Sequence, residues 1–407
     1  MDITALSHQA EAELSPVFRR MDDIALQNTA RVLAAFQEER VSAATFAGTT
    51  GYGYDDLGRE TLERIFARVF GTEAALVRPT FVNGTHAISA ALYAALRPGD
   101  VLLAATGTPY DTLQTVIGLT GDYPGSLRYY GIGYREVRLT PEGKPDLEGI
   151  RAALADPRVR AVELQRSRGY ASRPALSVEE INEVCKLVHE VNPAAVVILD
   201  NCYGEFTQSC EPKADLMAGS LIKNPGGGLA PTGGYVAGRR DLVEAAAMRM
   251  TVPGIGGECG SLEGGYRLYF QGLLTAPHAV AQALKTAAFC ARMLELLGFS
   301  SSPSAFEERS DIIQSVELGS AAELERFCRG IQSASPVDAF VTPVAAPMPG
   351  YEDQVIMAAG TFVQGSTMEL SCDGPMRPPY TAFLQGGLTY ELGKLGILRA
   401  VQALTEE

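Results

Sequence analysis

The stretch AAVVILDN, residues 194–201, decides the fold class of this chain. An uninterrupted apolar run of this kind predicts a strand that is buried on both faces, as in a parallel sheet. The run ends in a carboxylate, Asp200, which would then stand at the carboxyl edge of the sheet, where open α/β sheets bind their ligands. Asp also favours N-caps and turns, so this residue alone leaves both interpretations open.

Further short apolar runs indicate additional strands of the same sheet. They alternate with helical segments such as SVEEINEVCKLVHEV (177–191), which opens with a capping box of Ser177 and Glu180. This alternation predicts an α/β fold in which a mostly parallel sheet is covered by helices. The runs are AALV (74–77), VLLA (101–104), AVEL (161–164), AVVIL (195–199), AGSLI (218–222) and GYVAG (234–238).

The length and the pattern changes along the chain predict three parts. With 407 residues, the chain exceeds the size at which a single core usually stops growing. Residues 1–45 are expected to form an N-terminal helical arm, because apolar side chains such as Ile24 and Phe36 share one helical face. Residues 46–298 would form the large domain and residues 299–407 a smaller α+β domain.

Composition and missing motifs exclude several function classes. The net charge of −14 argues against a nucleic-acid partner. The N-terminus lacks the pattern of a signal peptide, and no run of about 18 apolar residues predicts a membrane span, so we expect a cytoplasmic protein. The seven cysteines are scattered without a CxxC pair, and the four histidines do not cluster, so no metal site is expected.

A second polar residue at the end of an apolar run is Lys223, in AGSLIKNPGGG (218–228). A lysine in such surroundings is expected to have a depressed pKa and to act as an amine nucleophile, although a strand-end lysine can also simply reach solvent. Pyridoxal 5'-phosphate (PLP) requires a lysine that forms a Schiff base and an acid that pairs with its ring nitrogen. Lys223 and Asp200 therefore predict a PLP site.

A phosphate-binding loop is the third part of this prediction. In PTFVNGTHAISAAL (79–92), Gly84 and Thr85 open a helix whose free N–H groups could bind the cofactor phosphate. The same pattern is a common helix cap when it stands alone. The hydroxyl of Ser220, three residues before Lys223, is a second candidate phosphate ligand.

Taken together, these motifs resemble fold-type I PLP enzymes, with the architecture of the aspartate aminotransferases. Within them the chain is similar to the cystathionine/methionine lyase group, and most of all to the methionine gamma-lyase-like (aluminium-resistance protein) family. The resemblance extends from about residue 46 to residue 395. The motifs that carry it are GYGYDDLGRETLERIF, NGTHAISAAL, QRSRGYASRP, DNCYGEF, KNPGGGLAPTGGYVAG and ELSCDGPMRPPYTAFLQGGLTYE.

The resemblance implies further cofactor-binding residues. Tyr110 would stack on the pyridine ring and assist catalysis, unless it is a core tyrosine, and His86 is a rival for the stacking position. Tyr54, in the loop GYGYDD, would contact the phosphate of a neighbouring subunit, although the arginine that related lyases carry in this loop is missing.

The α-carboxylate of an amino acid substrate suits a bidentate arginine. By resemblance, Arg377 in DGPMRPPY is the first candidate. Arg166 and Arg168 in QRSRGY could serve instead. Any of the three could also form a surface ion pair.

The implied activity is that of a PLP-dependent lyase that catalyses β- or γ-elimination at a sulfur-containing amino acid side chain. Alternatives are an aminotransferase or aldolase-type enzyme on the same scaffold, or a non-catalytic PLP-fold protein that binds a metabolite. The family implies a homodimer or homotetramer with interface active sites, to which the N-terminal helix and the GYGYDD loop would cross.

Overall fold

A computed structural model of the chain describes residues 2–348 and 353–406. Its helices are α1 (Ile3–Glu38), α2 (Leu57–Phe70), α3 (Gly84–Ala95), α4 (Asp111–Ile117), α5 (Leu147–Ala153), α6 (Val178–Val191), α7 (Arg240–Met250), α8 (Arg267–Leu296), α9 (Ala321–Ser333) and α10 (Tyr390–Thr405). Its strands are β1 (Ala74–Arg78), β2 (Val101–Ala104), β3 (Gly133–Glu136), β4 (Val159–Gln165), β5 (Val196–Asp200), β6 (Leu216–Ser220), β7 (Gly234–Gly238), β8 (Ser300–Ser302), β9 (Gln314–Glu317), β10 (Val355–Ala358), β11 (Ser371–Pro375) and β12 (Thr381–Gln385).

The larger sheet has seven strands in the order β1-β7-β6-β5-β4-β2-β3. Pairs β6–β5, β5–β4, β4–β2 and β2–β3 are parallel, whereas β7 is antiparallel to both of its neighbours. Six strands therefore run in one direction and end at the same edge. This confirms the predicted α/β fold with a mostly parallel sheet covered by helices.

Two details of the sheet differ from the sequence-based prediction. Strand β3 was not predicted, because its sequence GYRE is polar and largely exposed at the sheet edge. Strand β6 spans Leu216–Ser220, two residues earlier than the predicted run 218–222. Lys223 consequently follows the strand by three residues and caps a short 3-10 turn, Asn224–Gly226.

Helices cover both faces of the sheet, as continuous apolar strands require. On one face, Ile198 and Val236 of the strands pack with α3 and α7 in one apolar cluster. On the other face, Val197 and Leu199 belong to a larger cluster that includes side chains of α2, α6 and α8. The alternation of neighbouring residues between the two clusters is the two-residue period of a strand.

The second sheet has five antiparallel strands in the order β10-β11-β12-β9-β8. Helices α9 and α10 pack against each other and α9 contacts this sheet, which confirms the smaller α+β region. The change from one sheet to the other falls between the end of α8 at Leu296 and the start of β8 at Ser300. The domain limits 1–45, 46–298 and 299–407 stay predictions.

The N-terminal helix α1 packs along α8 of its own chain. Ion pairs join Glu13 to Arg292 and Asp22 to Lys285, at N–O distances of 2.5 and 2.6 Å. Its predicted crossing to a partner subunit stays a prediction. Across the described ranges, no helix has the length and apolar character that a membrane crossing demands.

Candidate active site

A cavity of about 490 Å³ lies at the carboxyl edge of the larger sheet and is closed on one side by the smaller sheet. Most of the residues predicted to form the site line it. Because β2, β4, β5 and β6 all end at this edge, the segments that follow them meet here. The predicted residues that the cavity brings together are Gly84, Thr85, Tyr110, Arg168, Asp200, Ser220, Lys223 and Arg377.

Asp200 is the last residue of β5 and is 5% exposed. Its Oδ1 accepts a hydrogen bond from the backbone N–H of Cys202 at 3.1 Å, which is a turn contact, and Asp200 caps none of the helices in the described ranges. Burial raises the pKa of this carboxyl, and the positive charge of Lys223 partly opposes the shift. A cationic partner in the cavity would stabilise the carboxylate form.

Lys223 reaches the same cavity from the turn that follows β6. Its Nζ lies 3.8 Å from the ring centroid of Tyr203, a cation–π distance. Burial lowers the pKa of Lys223, but Cys202, Tyr203 and the carboxylate of Asp200 raise it more, so the pKa lies well above its ordinary value. The expected depressed pKa is therefore wrong, because ionisable groups, above all Cys202, Tyr203 and Asp200, surround the amine.

Close backbone packing fixes the turn that carries Lys223. A Cβ on Gly227 would lie 2.4 Å from the carbonyl oxygen of Gly272 in α8, and Gly227 has φ +55°. The side-chain amide of Asn224 donates to the carbonyl of Glu205 at 2.9 Å. The glycines of NPGGG therefore allow the turn to lie directly on α8.

The predicted phosphate loop has the geometry of an anion site. Asn83 caps α3 by accepting from the backbone N–H of His86 at 2.9 Å. In residues 2–348 and 353–406, no acceptor is found for the backbone N–H groups of Gly84 and Thr85. A Cβ on Gly84 would lie 3.1 Å from Cβ of Ser220, so the helix start and the end of β6 approach each other closely.

Tyr110 lies at the start of α4, where it lines the cavity and also packs against an apolar cluster, and its stacking role stays a prediction. Its hydroxyl is 3.0 Å from Oγ1 of Thr85, and its backbone N–H donates to Oε1 of Gln165 at 3.0 Å. Burial, with a further contribution from Asp200, raises the pKa of Tyr110 well above its ordinary value. The phenol therefore keeps its proton at neutral pH.

Two predicted cofactor contacts lie elsewhere in this chain. His86 does not line the cavity: its Nδ1 accepts from the backbone N–H of Val82 at 3.2 Å, and its ring packs edge-on against Phe81. Its proposed stacking role is corrected, because the helix cap turns the side chain back to the preceding loop. Tyr54 is 59% exposed on the loop before α2, outside this cavity, and its role toward a neighbouring subunit stays a prediction.

The structure separates the candidate arginines. Arg166 is fully buried outside the cavity, where it contacts Asn201 at 2.8 Å and Glu211 at 3.4 Å. Its proposed carboxylate-binding role is corrected, because these partners fix its guanidinium away from the cavity. Arg377 is at the cavity rim, 57% exposed and paired with Asp353 at 3.0 Å.

Arg168 is the arginine that is both buried and in the cavity wall. Its Nη1 donates to the carbonyl of Ser302 at 2.8 Å and to the hydroxyl of Ser315 at 3.1 Å. No hydrogen bond of Nη2 is found in the part of the chain that the structure describes. These contacts across the two lobes hold one edge of the guanidinium and leave the other for a ligand.

Several residues of the cavity were missed by sequence reasoning. Tyr203, Arg173, Asp373 and Gln385 belong to loops or to the smaller sheet, and no local pattern marked them. Gln165 could have been found, because it ends the apolar run of β4 just as Asp200 ends that of β5, and the two are register partners.

This chain is similar to known proteins in both sequence and structure. Residues 3–405 match the family described as methionine gamma-lyase. The Bacillus subtilis protein YnbB is 51% identical over 98% of this chain and 96% of its own length. A carbon-sulfur lyase of Clostridium novyi NT involved in aluminum resistance has a structure with a TM-score of 0.95, 50% identity, and coverage of 98% of this chain and 95% of that one.

A more distant structure shares the fold alone. The pyridoxal-5'-phosphate dependent protein YhfS of Escherichia coli aligns with a TM-score of 0.62 at 18% identity, over 93% of this chain and 96% of that one. Since the family match extends over nearly the whole chain, the chain belongs to the methionine gamma-lyase family and is an enzyme of the PLP-dependent lyase type.

Proposed function

We propose that this protein binds PLP at Lys223 and cleaves a carbon–sulfur bond in an amino acid by β- or γ-elimination. The observation that carries the proposal is the meeting of a half-buried lysine and a buried strand-end aspartate in one cavity that a helix N-terminus also lines. In β-elimination, the amino acid and one water yield a thiol, ammonia and a 2-oxo acid.

The residues present fit PLP. The amine of Lys223 would hold the aldehyde, and Asp200, whose burial favours a cationic partner, would hold the ring nitrogen. The unpartnered N–H groups at the start of α3, with Thr85 and Ser220, would hold the phosphate. When bound, the cofactor supplies an electron sink for the electrons left at the substrate Cα.

The chain's own groups would move the protons. Lys223, once its Nζ is neutral, would take the proton from the substrate Cα, and the aromatic face of Tyr203 would hold the resulting ammonium. Tyr110 stays protonated because its pKa is raised, so it can act only as a donor, for example to the departing sulfur. Thr85 orients its hydroxyl at 3.0 Å.

We further propose Arg168 as the main anchor of the substrate α-carboxylate, with Arg377 at the rim. Arg168 is buried and held by Ser302 and Ser315, so little entropy would be lost when a carboxylate binds. Arg377 would first have to leave Asp353.

The test is an absorbance spectrum of the purified protein with PLP, followed by product analysis. We expect a visible cofactor band that is lost in Lys223→Ala, and release of a thiol and ammonia from S-substituted cysteine or homocysteine. Lys186→Ala is a matched control, because Lys186 is an exposed lysine on α6. Stable cofactor binding in Lys223→Ala would contradict the proposal.

Product analysis also separates the alternative activities. Turnover that requires a keto-acid acceptor and releases no thiol would indicate an aminotransferase. A cofactor band without turnover of any amino acid would indicate a binding protein.

A further inference from the structure

The wall that the smaller sheet contributes to the cavity carries an acid that the proposed mechanism does not use. Asp373 on β11 and Gln385 at the end of β12 both line the cavity. They are 6% and 5% exposed. Two other aspartates line the same cavity. Asp200 would face the cofactor, and Asp111 lies at the start of α4, on the side of the large sheet.

Asp373 and Gln385 form a hydrogen-bonded pair. The Gln385 side-chain amide donates to Oδ2 of Asp373 at 3.1 Å, and the Tyr170 hydroxyl also hydrogen-bonds this carboxyl. In the described ranges, Oδ1 of Asp373 and Oε1 of Gln385 have no partner. Buried acceptors are normally satisfied, so this pair keeps hydrogen-bonding capacity beside the cavity that the described residues do not use.

The surroundings of Asp373 place it on the reaction side of the cavity. Its charge raises the pKa of Tyr203, the residue whose ring lies under the amine of Lys223. Its register partner on β12 is Phe383, whose ring is 5.1 Å from that of Tyr170. The wall therefore combines two aromatic rings, which suit an aliphatic thioether, with one carboxylate.

Among the residues that the structure describes, no cation contributes to the charge environment of this carboxylate. Lys223 and the cavity arginines do not contribute to the charge environment of Asp373, whose pKa burial raises to about 6 while Tyr170 and Gln385 lower it. At pH 7.5 the group is thus an anion in a poorly hydrated wall. A buried anion without a cation is costly, and a cationic ligand removes that cost.

We infer that Asp373, supported by Gln385, is a specificity-determining residue that selects substrates whose sulfur-linked leaving group ends in an ammonium. The inference rests on the proposed carbon–sulfur lyase function and names its substrate class. Arg168 would bind the α-carboxylate and Asp373 the terminal ammonium, so a substrate with charges at both ends would be held on both sides of the bond that breaks.

The test uses the holoenzyme and isosteric pairs of substrates. S-(2-aminoethyl)-L-cysteine and S-propyl-L-cysteine differ by an ammonium in place of a methyl group, and the two matching L-homocysteine derivatives cover γ-elimination. We expect kcat/KM to be higher for the aminoethyl compound by about tenfold or more, the effect of one charged hydrogen bond. Asp373→Asn should abolish most of this preference through KM and leave the S-propyl compound nearly unchanged.

The cofactor band serves as the control for folding and for the proposed function. Asp373→Asn should keep the band, and Gln385→Met should lower the preference less than Asp373→Asn does. An equal loss for both compounds, or an unchanged ratio, would overturn the inference while the lyase function stands. If the band is present without turnover, the dissociation constants of the aminoethyl and propyl compounds, measured from the spectral shift, test the same preference. Absence of the band overturns both the proposed function and this inference.

Discussion

Glu163 and Asp200 are two buried carboxyl groups on the same face of neighbouring strands. Glu163 stands two residues before Gln165, and Gln165 is the register partner of Asp200 across β4 and β5. Glu163 has no exposed surface, and neither of its oxygens has a hydrogen-bond partner among the described residues. Burial, with a further contribution from Asp200, raises the pKa of Glu163 to about 8. Glu163 is therefore neutral at pH 7, and Asp200 is the member of the pair that can hold a cation.

This relationship predicts a pH-dependent effect of Glu163→Gln on stability. Between the ordinary carboxyl pKa and about 8, folded wild-type protein holds a proton on Glu163 that the unfolded chain releases. Each rise of one pH unit in this window should therefore cost wild type about 1.4 kcal/mol of unfolding free energy that the variant does not lose. Urea unfolding at pH 5.5, 6.5 and 7.5 measures the difference. A constant difference between the two proteins across this range would contradict the raised pKa.

The neighbouring arginines Arg166 and Arg168 should respond differently to the same substitution. Arg168→Lys loses the planar fork that suits a carboxylate, so KM should rise about tenfold or more. Arg166→Lys disturbs the buried contacts to Asn201 and Glu211 and should lower the unfolding free energy by about 3 kcal/mol without a specific change in KM. Steady-state kinetics and urea unfolding of both variants separate the two roles. A rise in KM for Arg166→Lys alone would restore the carboxylate-binding role that the sequence suggested for it.

Gly84→Ala tests the phosphate loop. The added Cβ would lie 3.1 Å from Cβ of Ser220 and 3.4 Å from Sγ of Cys202, so the helix start must shift slightly away from β6. A cost of about 1 kcal/mol should appear as a roughly fivefold weaker affinity for PLP. Equilibrium titration followed by the cofactor absorbance measures it. Gly264→Ala is the control, since nothing lies within 4 Å of its added Cβ, and equal effects of both variants would argue against the loop.

The central strands and the two reactive residues could be predicted because they follow one local rule. A run of apolar residues that ends in a polar one marks both a buried strand and the sheet edge. Asp200 obeys this rule, and Lys223 lies three residues beyond the end of its strand. The rule failed for the arginines of QRSR, because the chain leaves the strand at Gln165. Beyond that point the two-residue alternation no longer fixes which way a side chain points, and Arg166 and Arg168 diverge.

The rest of the site depends on contacts that no local pattern encodes. Tyr203 lies under Lys223 and has a backbone φ of 70°, which a non-glycine residue seldom adopts. Asp373 and Gln385 reach the cavity through the packing of a second sheet, more than 100 residues along the chain from Lys223. Sequence reasoning thus found Asp200 at a strand end of the large sheet, found Arg377 by resemblance, and missed Tyr203, Asp373 and Gln385, which tertiary packing brings to the cavity.

Gly272→Ala tests whether the packing of α8 under the lysine turn positions Lys223. Alanine in a helix normally gains about 1 kcal/mol over glycine. Here the added Cβ would lie 2.3 Å from the carbonyl oxygen of Gly226, which is backbone and cannot rotate away. The overlap should cost about 3 kcal/mol and outweigh the helix gain. Urea unfolding should show lower stability, and the cofactor band should weaken as the turn shifts. Gln271→Ala, at the exposed neighbouring position, should leave both unchanged. If Gly272→Ala were as stable as wild type with an intact band, the turn would not depend on this contact.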